Sequence, residues 1–324
     1  MISVRPYSLE YTKEWDNLLE QSVTATWFQT ASWVNLWQRH FDGDSIILGV
    51  YLKDKLIGIA TLKRDKDLIT FYTLSTVVGG EEITDYGDIV AIKGREKEVW
   101  EAVLKNINPP AGGQIKYNFK FIREESPSFQ ILKDLGGKIE ESDVSPYIEL
   151  PNTWEEYLTS LDRHDRHELR RKIKRLEEEG AFKVCHAMPA GRQDGEPSDI
   201  DEFFRLMSLS NDQKRDFLTR EMKSFFRDIF ATFWPKKLMY LCFMKLDRVN
   251  IAASLLFDFR GEILLYNSGY DPAYGKLSPG FLLKAFLIRN AIEEKKKKFD
   301  FLRGSERYKY DLGGKEQKLY TLTL

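Results

Sequence analysis

Tyr266-Asn267-Ser268-Gly269-Tyr270-Asp271-Pro272-Ala273-Tyr274-Gly275-Lys276-Leu277-Ser278-Pro279-Gly280 decides the reading of this chain. The run Glu262 to Asn267 that leads into it predicts a strand. The residues Phe281 to Lys298 behind it predict a long amphipathic helix, and Phe299-Asp300-Phe301-Leu302 predicts another strand. The order is therefore strand, loop, helix, strand. Ser278 stands where a helix cap belongs, Pro279 suits a first helical turn, and Gly280 leaves the backbone open to close approach. A helix start with free N–H groups favours an anion, and Lys276 adds positive charge nearby, so a pyrophosphate would fit. The same residues would also serve a plain helix start.

Working outward, the segment before this loop repeats an earlier one. Tyr240 to Leu246, the turn Asp247-Arg248 and Ile251 to Phe257 predict a hairpin. In the first half, Ile46 to Leu52, the turn Lys53-Asp54-Lys55 and Leu56 to Leu62 predict another, and Leu68 to Tyr72 continues the meander. Asp54 then falls on Asp247 and Ala60 on Ala253, which suggests a duplicated fold. Helices are expected around Trp15, Leu18 and Leu19, around Trp33, Leu36 and Trp37 with Thr30 as cap, and over Glu96 to Ile107. The breaker cluster Pro109 to Gly113 follows, then a strand over Ile115 to Ile122 and a short helix over Ser128 to Leu135. Pro146 and Pro151 mark the crossing between halves. Beyond them, helices are expected from Trp154, over His164 to Glu179, Ile200 to Leu209 and Arg220 to Phe233.

Composition narrows the class. The 324 residues suit two domains, and 49 Lys+Arg against 50 Asp+Glu argue against a general nucleic-acid coat protein. Neither Cys185 nor Cys242 belongs to a CxxC pair, and Cys242 lies in an apolar run as a core residue would. Met1 to Pro6 lacks the apolar core of a signal peptide, and no run approaches the ~18 apolar residues of a spanning helix, so the cytoplasm is the simplest compartment. His164 and His167 are three apart, but no third ligand stands near them, and no metal is expected.

Tyr270-Asp271-Pro272 through Ser278-Pro279-Gly280, with Phe299-Asp300-Phe301-Leu302-Arg303-Gly304 and Tyr308-Lys309, resembles the signature of GNAT-superfamily acetyltransferases of the BioF2/CelD-like type. These are similar to the FemAB-type peptidyltransferases. Trp27-Phe28-Gln29-Thr30 with Trp33, Asp85-Tyr86-Gly87-Asp88, and Leu161 through Arg171 before Leu176 extend the resemblance over most of the chain. It implies an α/β (α+β) fold of two tandem GNAT-like domains, each a mixed, mostly antiparallel sheet flanked by helices. The expected division is 1–150 and 151–314, with 315–324 returning to the first domain and the donor site in the second.

The resemblance also implies an acyltransferase. Acetyl-CoA or another acyl-CoA would be the donor, held by Asn267, Ser268, Lys276, Ser278, Gly280 and Phe281. One departure stands out. The usual phosphate loop is Gln/Arg-x-x-Gly-x-Gly/Ala, whereas Lys276 to Phe281 carries Pro279 and Phe281 where small residues belong. FemAB relatives take an aminoacyl-tRNA instead. The basic run Arg163 to Arg175 would suit tRNA phosphates, although Asp165, Glu168 and Glu177 to Glu179 offset it and a solvated face accounts for it as well.

Four residues after the last strand are catalytic candidates. Arg303 would hold a carboxylate or phosphate, Glu306 would act as base, Tyr308 would protonate the leaving group and Lys309 would neutralise an oxyanion. A solvated loop with packed tyrosines is the alternative. Asp85, Tyr86 and Asp88, following Gly79-Gly80 and Glu81-Glu82, would line a cleft that receives an amine-bearing acceptor together with Tyr270, or would form a capped turn. The acceptor would be a small molecule or a cell-wall or polysaccharide precursor. A non-catalytic, metabolite-binding member is the remaining reading.

Overall fold

A computed structural model describes residues 1–41, 45–71, 83–107, 114–186 and 198–324. The breaker cluster at 109–113, the glycines and glutamates at 79–82 and Tyr72 lie outside the described residues. The elements are β1 (Ile2–Pro6), α1 (Thr12–Glu20), α2 (Ala31–Phe41), β2 (Ser45–Leu52), β3 (Lys55–Asp65), β4 (Leu68–Phe71), β5 (Val90–Ala91), α3 (Glu96–Asn106), β6 (Lys116–Arg123), α4 (Pro127–Asp134) and β7 (Lys138–Val144). After them come β8 (Tyr147–Glu149), α5 (Trp154–Ser160), α6 (Arg163–Glu179), β9 (Phe182–His186), α7 (Ser198–Ser210), α8 (Asp212–Phe217) and α9 (Arg220–Phe233). The remainder is β10 (Met239–Leu246), β11 (Val249–Phe259), β12 (Glu262–Tyr270), α10 (Pro279–Glu293), β13 (Lys298–Asp300), α11 (Arg307–Asp311) and β14 (Lys318–Thr323). Two compact units result: Met1–Val144 with Gln317–Leu324, and Ser145–Glu316.

The first unit is built on a sheet of order β1-β2-β3-β4-β6-β14-β7, with β5 pairing β3. Among the described residues, only β4 and β6 run parallel. The tryptophan spacing in α1 and α2 does what the periodicity predicts, since Trp15, Trp33 and Trp37 are all fully buried. Trp15 Nε1 donates to the Gln29 carbonyl at 2.9 Å, and Thr30 Oγ1 caps α2 by accepting from the Trp33 N–H at 3.3 Å. In β14, Leu319 and Leu322 enter the core, while the strand pairs antiparallel with both β6 and β7.

The second unit has a sheet of order β8-β13-β12-β11-β10-β9, in which, among the described residues, only β12 and β13 run parallel. Its meander repeats that of the first unit. Asp247 and Arg248 both have positive φ, the geometry of a tight hairpin turn compatible with strand twist. Each hairpin carries a bulge two residues into its second strand. Ile57 is the extra residue between the pairs Val50–Gly58 and Tyr51–Leu56, and Ile251 between Met244–Ala252 and Lys245–Asn250. A shared irregularity is stronger evidence of duplication than a shared meander, because bulges are specific local features. The chain is thus an α/β fold of two tandem units, each a mixed, mostly antiparallel sheet with flanking helices.

Two expectations need correction. The helix from Phe281 ends at Glu293, not Lys298, so Lys295 to Lys298 are not cations of its last turn. Lys295 turns left-handed (φ 59°), Lys296 reaches the Asp258 carboxylate, the Lys297 N–H binds the Gly261 carbonyl, and Lys298 begins β13. The last strand also stops early. Leu302 has φ 59°, which breaks the extended backbone two residues after Asp300. Among the described residues, no helix is long and apolar enough to cross a membrane.

Candidate active site

The second unit's two parallel strands part. β12 and β13 pair only at Glu262–Lys298, Ile263–Phe299 and Leu264–Asp300, yet β12 continues to Tyr270. Just past the parting, Tyr266 is the extra residue of a bulge, since Leu256 faces Leu265 and Leu255 faces Asn267. A bulge bends its strand and re-aims the side chains beyond it. On the other side of β12, Gly269 admits the backbone of α7, because a Cβ there would lie 2.3 Å from the Met207 nitrogen.

A pocket of about 340 Å³ opens where the strands separate. Ser268 and Tyr270 of β12 line it, with Ser278, Gly280, Phe281 and Lys284 around the start of α10, Lys214 of α8 and Tyr308 of α11. Ser278 occupies the N-cap position, but with φ 53° and ψ 48° its hydroxyl makes no cap hydrogen bond. Expectation and structure differ here because a left-handed cap residue turns its side chain away from the first-turn donors. The Phe281 and Leu282 N–H groups both go to the Ser278 carbonyl, at 3.1 and 3.0 Å. Pro279 has no N–H, so the Gly280 N–H is the first-turn donor left without an acceptor among the described residues.

The candidate residues are not all brought together. Ser268, Tyr270, Ser278, Gly280, Phe281 and Tyr308 share this pocket. Asn267 is half-buried just behind it, its Oδ1 accepting from the Ser268 N–H at 2.8 Å. Lys276 is exposed and outside the lining, and its carbonyl accepts from Arg175 at 2.9 Å.

Lys309 is only 2% exposed and does not present its ammonium to the pocket. It donates to the carbonyls of Leu302, Arg303 and Gly304 at 2.9, 2.8 and 3.0 Å and pairs with Glu306 at 2.9 Å. The expected oxyanion partner is thus a clamp on the turn after β13. Burial alone would raise the Glu306 carboxyl, but the Lys309 ammonium outweighs it and holds the group below its ordinary value, which weakens it as a base. Arg303 is half-buried within the clamped turn. Burial, with Glu306 nearby, pushes the Tyr308 phenol upward, so it stays protonated and able to donate.

Asp85, Tyr86 and Asp88 lie in the first unit. Tyr86 is 2% exposed and packs edge-on to Phe28, with ring centroids 5.9 Å apart. Asp88 is also 2% exposed, and its carboxylate accepts from Ser126 and Ser128 at 2.5 Å each and from the Ile89 N–H at 2.8 Å. The expectation that these two receive an acceptor is corrected by burial, which makes them scaffold. Asp85 is half-buried.

The basic helix α6 spends most of its charge locally. Arg166 donates to the carbonyls of Leu158, Thr159 and Leu161, Arg171 pairs with Glu168 at 2.6 Å, and Arg170 lies 3.8 Å from Glu155. Its His164 and Lys172 nevertheless line a second pocket, which shares Ser278 and Phe281 with the first.

Lys214 and Lys284 were missed by the sequence reading. Lys284 interrupts the apolar run Phe281-Leu282-Leu283-Lys284-Ala285-Phe286-Leu287-Ile288, a signal that was available. Lys214 sits on a helix of six residues that the periodicity did not reveal.

Residues 163–310 match the family model of the acetyltransferase (GNAT) domain. Among curated proteins, no sequence matches significantly. Solved structures share the fold over nearly the whole chain. FemX superposes with a TM-score of 0.68 at 12% identity, covering 99% of this chain and 96% of its own. The C-terminal domain of a putative lysylphosphatidylglycerol synthetase from Agrobacterium fabrum gives 0.62 at 13% identity, covering 98% and 92%. A tandem GNAT protein from the clavulanic acid biosynthesis pathway gives 0.51 at 10% identity, covering 100% and 98%. Residues 163–310 therefore carry a GNAT acetyltransferase domain, which supports an acyltransferase, and the chain as a whole has a tandem GNAT-like fold.

Proposed function

We propose that the second unit transfers an acyl group from acyl-CoA to an amine or hydroxyl of a small molecule or cell-envelope precursor. The observation that carries this reading is that the edge of β12 toward β13, unpaired with that strand beyond Leu264, and the open start of α10 line one pocket. An extended thioester donor can lie along the free edge of Asn267 to Tyr270, with its pyrophosphate at the Gly280 N–H. The neutral acceptor attacks the thioester carbonyl and the tetrahedral intermediate collapses with cleavage of its C–S bond; Tyr308 passes a proton to the departing thiolate and regains one from the proton that the acceptor gives up. Lys309 and Glu306 contribute by fixing the turn that carries Tyr308.

Calorimetric titration of acetyl-CoA and longer acyl-CoAs into wild type and Gly280→Trp tests the reading. A Cβ at 280 already comes 3.2 Å from Tyr270 Cδ1, so an indole there must enter the pocket. Binding by wild type that the variant loses supports the acyl-CoA site. No binding by wild type rejects it.

One observation bears on an aminoacyl-tRNA donor as a second reading. The pocket lined by His164, Lys172 and Arg307 adjoins the first at Ser278 and Phe281, giving room for a donor larger than CoA, while Asp165, Glu168 and Asp311 in the same lining offset its cations. The likeness to FemX and to a lysylphosphatidylglycerol synthetase domain is in keeping with it. Protection of aminoacyl-tRNA from nuclease by the protein, absent with uncharged tRNA, is the expected result under this reading.

A further inference from the structure

The pocket carries more positive charge than acyl transfer from an uncharged thioester requires. Lys214 and Lys284 both line it. Lys284 is 6% exposed; its ammonium donates to the Gly280 carbonyl at 3.0 Å and lies 4.6 Å from the centroid of the Tyr308 ring. Lys214 donates to the Ser268 carbonyl. The charged groups that act on the pair are Glu306 and Lys309, and Glu306 is already engaged by Lys309 at 2.9 Å. Three ammonium groups thus face one carboxylate.

An ammonium has three N–H donors, so both pocket lysines keep donors beyond their single carbonyl bonds. Burying an ammonium with only carbonyl and ring partners is costly, and a lysine held that way at a pocket wall points to function rather than packing. Burial and the charge of Lys214 bring Lys284 down to about 7, and burial brings Lys214 down to about 8. Near neutral pH the empty pocket therefore does not keep both lysines fully protonated. An oxyanion seated between them reverses that balance.

We propose that Lys214 and Lys284 form an oxyanion-binding subsite in this pocket, holding a carboxylate or phosphate group of a substrate. The subsite rests on the reading of this pocket as the transfer site, but its chemistry can be tested apart from CoA. Binding is accompanied by proton uptake, because the anion favours the ammonium form of both lysines. A phosphate ligand would be part of the donor, whereas a carboxylate would belong to the acyl group or the acceptor.

The test is calorimetric titration of sodium pyrophosphate and of succinate at about pH 8, where the free pocket has lost part of its protons. Two buffers of different ionisation enthalpy are used with wild type, Lys284→Met and Lys214→Met. One anion is expected to bind wild type with a heat that depends on the buffer. Each variant is expected to bind at least about tenfold more weakly and to show a smaller dependence on the buffer, since only one titrating lysine remains. Pyrophosphate preference assigns the group to the donor, and succinate preference to the acyl group or acceptor.

Without ligand, Lys284→Met is expected to melt above wild type, since it removes a buried charge; a lysine that only braced the scaffold would melt lower on removal. If Lys284→Met does not fold, Lys214→Met on the short α8 carries the test. Failure of both anions to bind wild type, or equal binding by wild type and the variants, overturns the proposal. Lysine-dependent anion binding without acetyl-CoA binding leaves the subsite standing and removes the acyl-CoA reading.

Discussion

Lys309 donates from its ammonium to the Leu302 carbonyl at 2.9 Å, closing a turn whose first residue has φ 59°. The same ammonium binds two further carbonyls and Glu306, so the left-handed Leu302 is held by four acceptors on one buried donor group. Lys309→Met leaves three carbonyls short of a partner and is expected to cost about 2–3 kcal/mol. Urea denaturation would give the loss, and hydrogen exchange should show 302–306 opening first. Lys309→Arg is expected not to restore stability, because a planar fork does not match three converging carbonyls.

Ser278 is at a cap position without capping. Its φ of 53° costs strain that glycine does not incur, and its hydroxyl makes no bond that glycine would lose. Ser278→Gly is therefore expected to stabilise by about 0.5 kcal/mol, read as a raised melting temperature. A lower melting temperature would mean that the hydroxyl supports the helix start after all.

Asp88 makes the first unit sensitive to pH. Burial lifts its carboxyl from 3.8 to about 6, against the pull of Ser126, Ser128, Arg123 and the Ile89 N–H. Between those values the folded state keeps a proton that the unfolded state has released. Its contribution is thus fully present below 3.8 and is lost as pH rises through about 6. Asp88→Asn does not titrate, so the difference in urea midpoint between the two proteins should change with pH across that interval and be flat above it.

Gly269 sets the distance between α7 and β12. A methyl group there would sit 2.3 and 2.4 Å from the Met207 nitrogen and Cα, and backbone cannot rotate away as a side chain can. Gly269→Ala is expected to cost at least about 1–3 kcal/mol and to displace α7 together with the adjoining α8 that carries Lys214. Ligand binding should weaken more than melting temperature falls, which paired calorimetry and thermal denaturation would show.

β14 lies between β6 and β7, and β7 pairs with no other strand among the described residues. Removing Gln317 to Leu324 exposes Leu319 and Leu322 positions in the first unit's core and leaves β7 unpaired. The truncated chain is expected to lose the first unit's melting transition or shift it down, while the second unit's transition persists. Unchanged melting of the first unit would contradict this.

Much of the fold was legible because its signals are local. The tryptophan spacing of α1 and α2, the two hairpins and the Thr153 cap before α5 all follow from neighbours in sequence, and Glu156 completes that cap by accepting from Thr153 N–H. The pocket was legible in outline, because the loop that opens α10 carries its own punctuation. What was not legible depends on contacts distant in sequence or on one strained dihedral. The residue at 309 reads as a surface lysine after a loop, and only the left-handed Leu302 turns three carbonyls toward it. The burial of Asp88 depends on serines 38 and 40 residues away. Lys284 was misjudged differently: helical periodicity absorbs one lysine in an apolar run as noise, although burying that amine is what makes it informative.

The placement of β14 also governs the order in which the protein can be made. The half of the chain that leaves the ribosome first has a gap between β6 and β7, one strand in from the edge of its sheet. The strand that fills it is translated only after the whole of the second unit. The second unit is one continuous stretch and waits on no such piece. Maturation of the first unit therefore waits on synthesis of the second, and a chain broken off before β14 carries its defect in the unit that was made first.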